Sequence, residues 1–117
     1  MIRLLTFLSV VLLAIQAIEA SGVRGVASWY GEKYRGKLMA NGQPFNPEKL
    51  TCASNHYLLG TRLLVQSGRK KVQVVVTDRG PDLKLNRQLD LSRAAFQKLA
   101  SLHLGLLTVY ITSETNL

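Results

Sequence analysis

Val74-Val75-Val76-Thr77-Asp78-Arg79-Gly80-Pro81 is the stretch whose reading decides the fold. Lys71 to Thr77 reads as a strand, because β-branched residues dominate it and a turn signal precedes it. Gly80-Pro81 then stops it, since this pair marks a turn and proline cannot donate to a ladder. Asp78 is left where a buried strand emerges. Working outward, Gln66-Ser67-Gly68-Arg69-Lys70 reads as a hairpin connection, and Thr61 to Val65 as the other strand of that hairpin. Val26-Ala27-Ser28-Trp29-Tyr30 reads as a first strand ended by Gly31, and Leu106 to Ile111 as a closing strand. Glu32 to Lys37 is polar and basic and reads as a loop. Asn41-Gly42 is a strong turn signal, and Pro44 and Pro47 keep the segment after it irregular. One helix is expected. Ser92 caps it, Arg93 to Ala100 follow, and Gly105 is placed to end the segment. Leu91, Ala95, Leu99 and Leu102 fall on one helical face, which would pack on the sheet. The pattern predicts a mainly β domain with one short packed helix and long loops.

The first twenty residues have a different character. Met1-Ile2-Arg3 is a short basic start, Leu4 to Ile15 is almost wholly apolar, and Ile18-Glu19-Ala20 ends in a small residue. That order predicts an export signal over residues 1–20, with the domain spanning 21–117. The alternative is an uncleaved anchor, but a spanning helix needs about 20 apolar residues and this run closes sooner at Gln16 and Glu19. No cysteine lies near the junction for lipid attachment. The expectation is a product exported to the periplasm or cell envelope, neither lipid-anchored nor stably inserted in a membrane. Without residues 1–20 the net charge stays at +8, carried by 14 basic and six acidic residues. So basic a chain either seeks an acidic partner or is simply soluble. For an exported protein the acidic partner is an anionic envelope polymer or membrane surface rather than nucleic acid.

Cys52 is the only cysteine, and His56 and His103 lie 47 positions apart. No disulfide, metal site or cofactor is expected from such a set. Any acid–base chemistry must choose among Glu32, Glu48, Asp78, Asp82, Asp90 and Glu114. Glu114 lies in a polar tail, and Glu32 and Glu48 lie in lysine-rich loops. Asp90 precedes the helix, where the macrodipole favours negative charge. Asp78 has two readings. A carboxyl leaving a buried strand can be partly desolvated, the condition that lets an acid hold its proton. Equally, it can cap the Gly80-Pro81 turn through backbone bonds. Alternation would send Asp78 and Arg79 to opposite faces unless the turn breaks it. Trp29 and Tyr30 could stack on a sugar, although one of two adjacent strand residues normally points inward. Ser54 and His56 are neighbours, but nothing like a nucleophile elbow surrounds the serine. Arg69-Lys70-Lys71 is either a solvated hairpin tip or a contact for an anionic polymer.

Several segments taken together resemble one family, rare lipoprotein A. They are Gly25-Val26-Ala27-Ser28-Trp29-Tyr30-Gly31, Ala40-Asn41-Gly42-Gln43-Pro44-Phe45-Asn46, Leu59-Gly60-Thr61-Arg62, the opening stretch, and Leu89-Asp90-Leu91-Ser92-Arg93-Ala94-Ala95. They keep the family's order and spacing from about residue 25 to 111. The resemblance implies a six-stranded double-psi β-barrel, a fold shared with expansins. It also implies lytic cleavage of the β-1,4 bond between N-acetylmuramic acid and N-acetylglucosamine in peptidoglycan glycan strands, peptide-free ones above all. The product is a 1,6-anhydro sugar, and one carboxyl serves as acid and then base. Asp78 matches the family's central aspartate. Tyr30, Asn41, Gln43, Asn46, Ser54 and Arg79 would line the substrate groove. The chain departs from the family at three of these: Gln43 and Asn46 stand where acidic residues are frequent, and Ser54 where histidine is common. These departures define the alternative, a non-catalytic, expansin-like module that binds glycan or loosens the wall.

Overall fold

Six strands close on themselves in a computed structural model that describes residues 22–114. The expected export signal and the boundary at Ser21 lie outside the described residues. The strands are β1 (Val23–Tyr30), β2 (Thr51–Ala53), β3 (Arg62–Ser67), β4 (Lys70–Asp78), β5 (Leu89–Ser92) and β6 (Leu106–Ser113). Among the described residues the single α-helix, α1, spans Arg93–Leu99, and short 3-10 turns occupy Glu32–Tyr34, Leu83–Leu85 and Leu102–Leu104. Around the barrel the order is β1-β5-β2-β4-β3-β6, with β6 returning to β1. β1 pairs parallel with β5 and β2 parallel with β4; the remaining pairings are antiparallel. This is the expected six-stranded double-psi barrel.

Alternation places Ala27 of β1, Leu63 and Val65 of β3, Val74 and Val76 of β4, Leu89 and Leu91 of β5, and Val109 and Ile111 of β6 in one core. Cys52 of β2 joins them, fully buried. Helix α1 packs on β4, β5 and β1 through Ala95, Phe96 and Leu99, and Phe96 meets Trp29 with ring centroids 6.5 Å apart.

The expected strands are all present, most of them longer than local pattern indicated. β1 starts at Val23 because Val23, Arg24 and Gly25 pair with Ile111, Tyr110 and Val109. Two strands had no readable signal. β2 is only three residues long and buried throughout, so it shows no alternation. β5 looks like the lead-in to the helix, yet Leu91 is a strand residue registered with Trp29 and Cys52. Ser92 does cap α1, its hydroxyl accepting from the Ala95 amide at 3.2 Å. The helix ends at Leu99 rather than running toward Gly105. Ser101 accepts from the His103 amide and starts a separate turn, which Gly105 closes at φ +67°.

Candidate functional site

The site forms where β4 ends, and a one-residue irregularity there decides which way Asp78 faces. Val74 and Val76 point into the core, so strict alternation would send Asp78 inward as well. On the paired strands Cys52 is registered with Val76, but Ala53 is registered with Asp78, so Thr77 is an extra residue. This bulge re-aims the end of β4. Asp78 emerges partly buried, and its Oδ1 accepts from the amides of Ala40 and Arg79, each at 2.9 Å. The carboxylate therefore caps its own turn and also anchors the long irregular crossing, residues 36–50. Asn55 holds the turn from the other side. Its side chain accepts from the Gly80 amide at 3.0 Å and donates to the Pro81 carbonyl at 2.6 Å. Gly80 sits at φ +135°, where a side chain would be strained.

The crossing folds through its own turns. Asn41 Oδ1 accepts from the Gln43 amide and Asn46 Oδ1 from the Glu48 amide, both at 2.9 Å. Phe45 is buried and stacks on Tyr30 at 4.3 Å, while the Ser92 hydroxyl donates to the Lys49 carbonyl at 2.5 Å. An exposed cluster reinforces this. Arg35 bridges Glu32 and Glu48 at 2.5 and 2.8 Å, and Arg93 reaches Glu48 at 2.8 Å. Hydrogen bonds from Arg35 hold both carboxyls below the usual carboxylate range.

The expected site residues fall into three places. Asn41, Gln43 and Asn46 come together, lining a hollow of about 190 Å³ with Met39, Pro44, Lys49, Thr51 and Thr77. Tyr30 lines a separate cleft of about 450 Å³ with Trp29, Tyr34, Leu85, Arg87 and Asp90. Ser54 and Arg79 form the third group, behind Asp78. The Arg79 guanidinium donates to the carbonyls of Ser54 and Tyr57 at 2.9 and 2.6 Å, so it braces residues 54–57 rather than pairing with Asp78. Ser54 is fully buried, and its hydroxyl accepts from the amides of His56 and Tyr57. Its hydroxyl closes a turn and does not face either opening.

Tyr30 is also more deeply placed than a stacking platform would be. One ring face is covered by Phe45, and Tyr34 meets it edge-on at 5.7 Å. Its hydroxyl is buried with no hydrogen-bond partner, as is that of Thr51. Burial, then the charges of Asp78, Cys52 and Asp90, hold the Tyr30 phenol well above its ordinary value. It remains a proton donor throughout the neutral range.

Two residues that line these openings escaped the sequence reading. Thr51 lies on the unreadable strand β2. Asp90 does not brace the helix; it lies in β5, where the Ser28 hydroxyl donates to its Oδ1. The β1–β5 register sets Ser28 opposite Asp90, and such a register leaves no trace in either segment alone.

Comparison with known proteins agrees with this architecture. The lytic transglycolase family matches residues 22–111. A probable endolytic peptidoglycan transglycosylase (RlpA) of Aquifex aeolicus is 41% identical over 87 residues, covering 73% of this chain and 38% of that protein. The endolytic peptidoglycan transglycosylase RlpA of Rickettsia bellii is 42% identical over 101 residues, covering 78% of this chain and 43% of that protein. The chain thus spans about two fifths of the length of these relatives. Among solved structures, an expansin of Clavibacter michiganensis superposes with a TM-score of 0.64 at 23% identity, over 80% of this chain and 50% of that one. That likeness is one of fold.

Proposed function

This chain belongs to the lytic transglycolase family, and from that membership we propose that it is exported and cleaves the β-1,4 bond between N-acetylmuramic acid and N-acetylglucosamine in peptidoglycan, with Asp78 as the acid. The observation that carries the reading is the placement of Asp78. It is turned outward by the bulge in β4 and tied to the loop that bears Asn41, Gln43 and Asn46. The protonated Asp78 carboxyl gives its proton to the glycosidic oxygen as the C1–O bond breaks and its electron pair leaves with that oxygen. The resulting carboxylate then takes the proton of the muramic C6 hydroxyl, whose oxygen bonds to C1. Asp78 is thereby reprotonated, and a 1,6-anhydro end is left on the strand. No water nucleophile enters, so the second carboxylate that activates one in inverting glycosidases is dispensable. Peptide-free strands are the substrate of choice, in the periplasm or cell envelope.

The test is chemical. Mature protein is incubated with peptide-free glycan strands, and anhydromuramic ends are counted by mass spectrometry. Wild type should release them, and Asp78→Asn should lower the rate by at least about a hundredfold, the range for loss of a general acid. Absence of ends with wild type would sink the proposal.

A second reading, a non-catalytic module that binds glycan, has its own support. Asn41 and Asn46 spend their side-chain oxygens on turns, and Ser54 is buried. Gln43 can hydrogen-bond a sugar but cannot trade a proton. Strands that bind but never shorten would favour this reading.

A further inference from the structure

Another opening lies beside the turn that bears Asp78, and its lining is of one chemical kind. It is a cleft of about 400 Å³ lined by Val23, Arg24, His56, Tyr57, Gln88 and Ile111. Ile111 is buried and Tyr57 packs partly on the core, so one wall is apolar. The polar groups beside that wall are able to donate: a guanidinium, an imidazole and a carboxamide, with no acidic residue in the lining. His56 and Tyr57 lie just beyond Ala53, the register partner of Asp78, and the Tyr57 carbonyl accepts from Arg79 at 2.6 Å. The cleft therefore flanks the proposed acid.

Two of these donors are held in place without being used up. Gln88 Oε1 accepts from the Val26 amide at 2.6 Å, and the Gln88 amide donates to the Val26 carbonyl at 2.9 Å. Only the oxygen end of a carboxamide can accept from an amide, so Nε2 is the end left over, and it has no acceptor among the described residues. Gly25 makes the room for this, since a Cβ there would lie 2.8 Å from that oxygen. Arg24 has its Cζ 5.9 Å from the centre of the Tyr110 ring. The ring steers the guanidinium but leaves its N–H groups without an acceptor among the described residues. An arginine fork beside an oriented amide donor suits a carboxylate. The apolar wall suits a methyl next to it. The lactyl group of a muramic unit joins a carboxylate to one methyl, and N-acetylglucosamine has no such group. Attachment of a stem peptide turns that carboxylate into a neutral amide. We propose that this cleft binds the free lactyl carboxylate of a muramic unit through Arg24 and Gln88, and thereby selects peptide-free strands. The selection rests on the reading of this chain as acting on peptidoglycan, whereas the carboxylate site rests on the lining alone.

The first test needs no variant. N-acetylmuramic acid has no glycosidic bond to cut, and titrating it into wild type should shift the amide resonances of Arg24 and Gln88 saturably. Its lactyl methylamide and N-acetylglucosamine should leave them in place. Equal shifts from the three sugars, or none from the acid, would overturn the proposal. A free stem tetrapeptide that moves the same amides would overturn it too, by assigning the cleft to a peptide carboxylate. The second test uses fluorophore-labelled peptide-free strands and Asp78→Asn, in which they stay whole, with Kd read by anisotropy. Adding Arg24→Gln should raise Kd at least about tenfold, and Arg24→Lys, which keeps the charge without the fork, by a smaller factor. Lys98→Gln removes an equal charge from exposed α1, outside the cleft, and should leave Kd within about twofold. A Lys98→Gln effect as large as that of Arg24→Gln would mean diffuse attraction and no site. Strands with methylamidated lactyl groups should bind Asp78→Asn as weakly as peptide-free strands bind its Arg24→Gln form. Anhydro ends released equally from free and methylamidated strands would defeat this inference and leave the lytic reading standing. Carboxylate-selective binding without anhydro ends would do the reverse.

Discussion

Tyr30 carries a hydroxyl that is buried, unpaired and permanently protonated near neutral pH. An unpartnered buried hydroxyl costs free energy, while the ring's packing on Phe45 does not depend on it. Tyr30→Phe should therefore stabilise the fold by about 1 kcal/mol in urea unfolding. A loss of stability would show that the oxygen is satisfied in solution. The same residue shapes the alkaline limb of stability. A folded phenol held above its ordinary value of 10.0 favours the neutral protein, so that contribution is complete below pH 10 and is lost as pH rises further. The Cys52 thiol, pushed by burial from 9.0 to about 12, acts with the same sign between those values. Urea unfolding through this range should show a falling stability, less steep in Tyr30→Phe, with the thiol's share remaining. Identical slopes in the two proteins would contradict the role given to the phenol.

At the scale of elements, the joint at Ser92 does the most. It ends β5, accepts from Ala95 to start α1, accepts from the Thr51 amide at 3.5 Å, and donates to Lys49 at the end of the crossing. Ser92→Ala removes a helix cap and one of the two hydrogen bonds that the Lys49 carbonyl accepts, the other coming from the Thr51 amide at 3.1 Å, and should cost about 1–2 kcal/mol in urea. The crossing should also exchange its amides faster near Lys49. A cost confined to the helix, with exchange in the crossing unchanged, would mean that the bond to Lys49 is idle. This joint was half legible. Ser92 as a cap could be read from a small hydroxyl before Arg93-Ala94-Ala95, as the β3–β4 hairpin could from Gly68 between alternating runs. β2 and β5 could not, because strands of three and four buried residues carry no period to detect. For the same reason the family resemblance, rather than local pattern, carried the count of six strands. Of the candidate site, the sequence showed Asp78 at a strand end and Asn41, Gln43 and Asn46 in one irregular segment, and the structure brings those three to one hollow. The site was not legible at Asp90, whose place depends on register, nor at the bulge that turns Asp78 outward.

Across the whole molecule as described, residues 22–114, the acidic side chains are already engaged. Glu32 and Glu48 pair with Arg35 and Arg93, and Asp78, Asp82, Asp90 and Glu114 each accept a hydrogen bond. Among the described residues, Arg35 and Arg93 are the only cations in ion pairs with them. Lys49, Lys70, Lys71, Lys84 and Lys98 are exposed and outside these ion pairs, and they give the surface a net attraction for acidic polymers. Affinity for glycan strands bearing muramic carboxylates should fall several-fold as the Debye length shrinks from about 10 Å at 0.1 M salt to about 3 Å at 1 M. Affinity that holds across that range would assign binding to the clefts alone.

The closure of the sheet also governs how this protein can associate. β6 returns to β1, so every strand of the barrel has a neighbour on both sides. Among the described residues the barrel leaves no row of free amides and carbonyls for another chain to extend, so strand addition, a common route to partners and to fibrils alike, has no template on it. The loops around the barrel are the crossing at 36–50, the turn at Gly80 and the hairpin tip at Arg69. Those segments can be rewritten for a new polymer or a new partner while the barrel that aims Asp78 stays as it is.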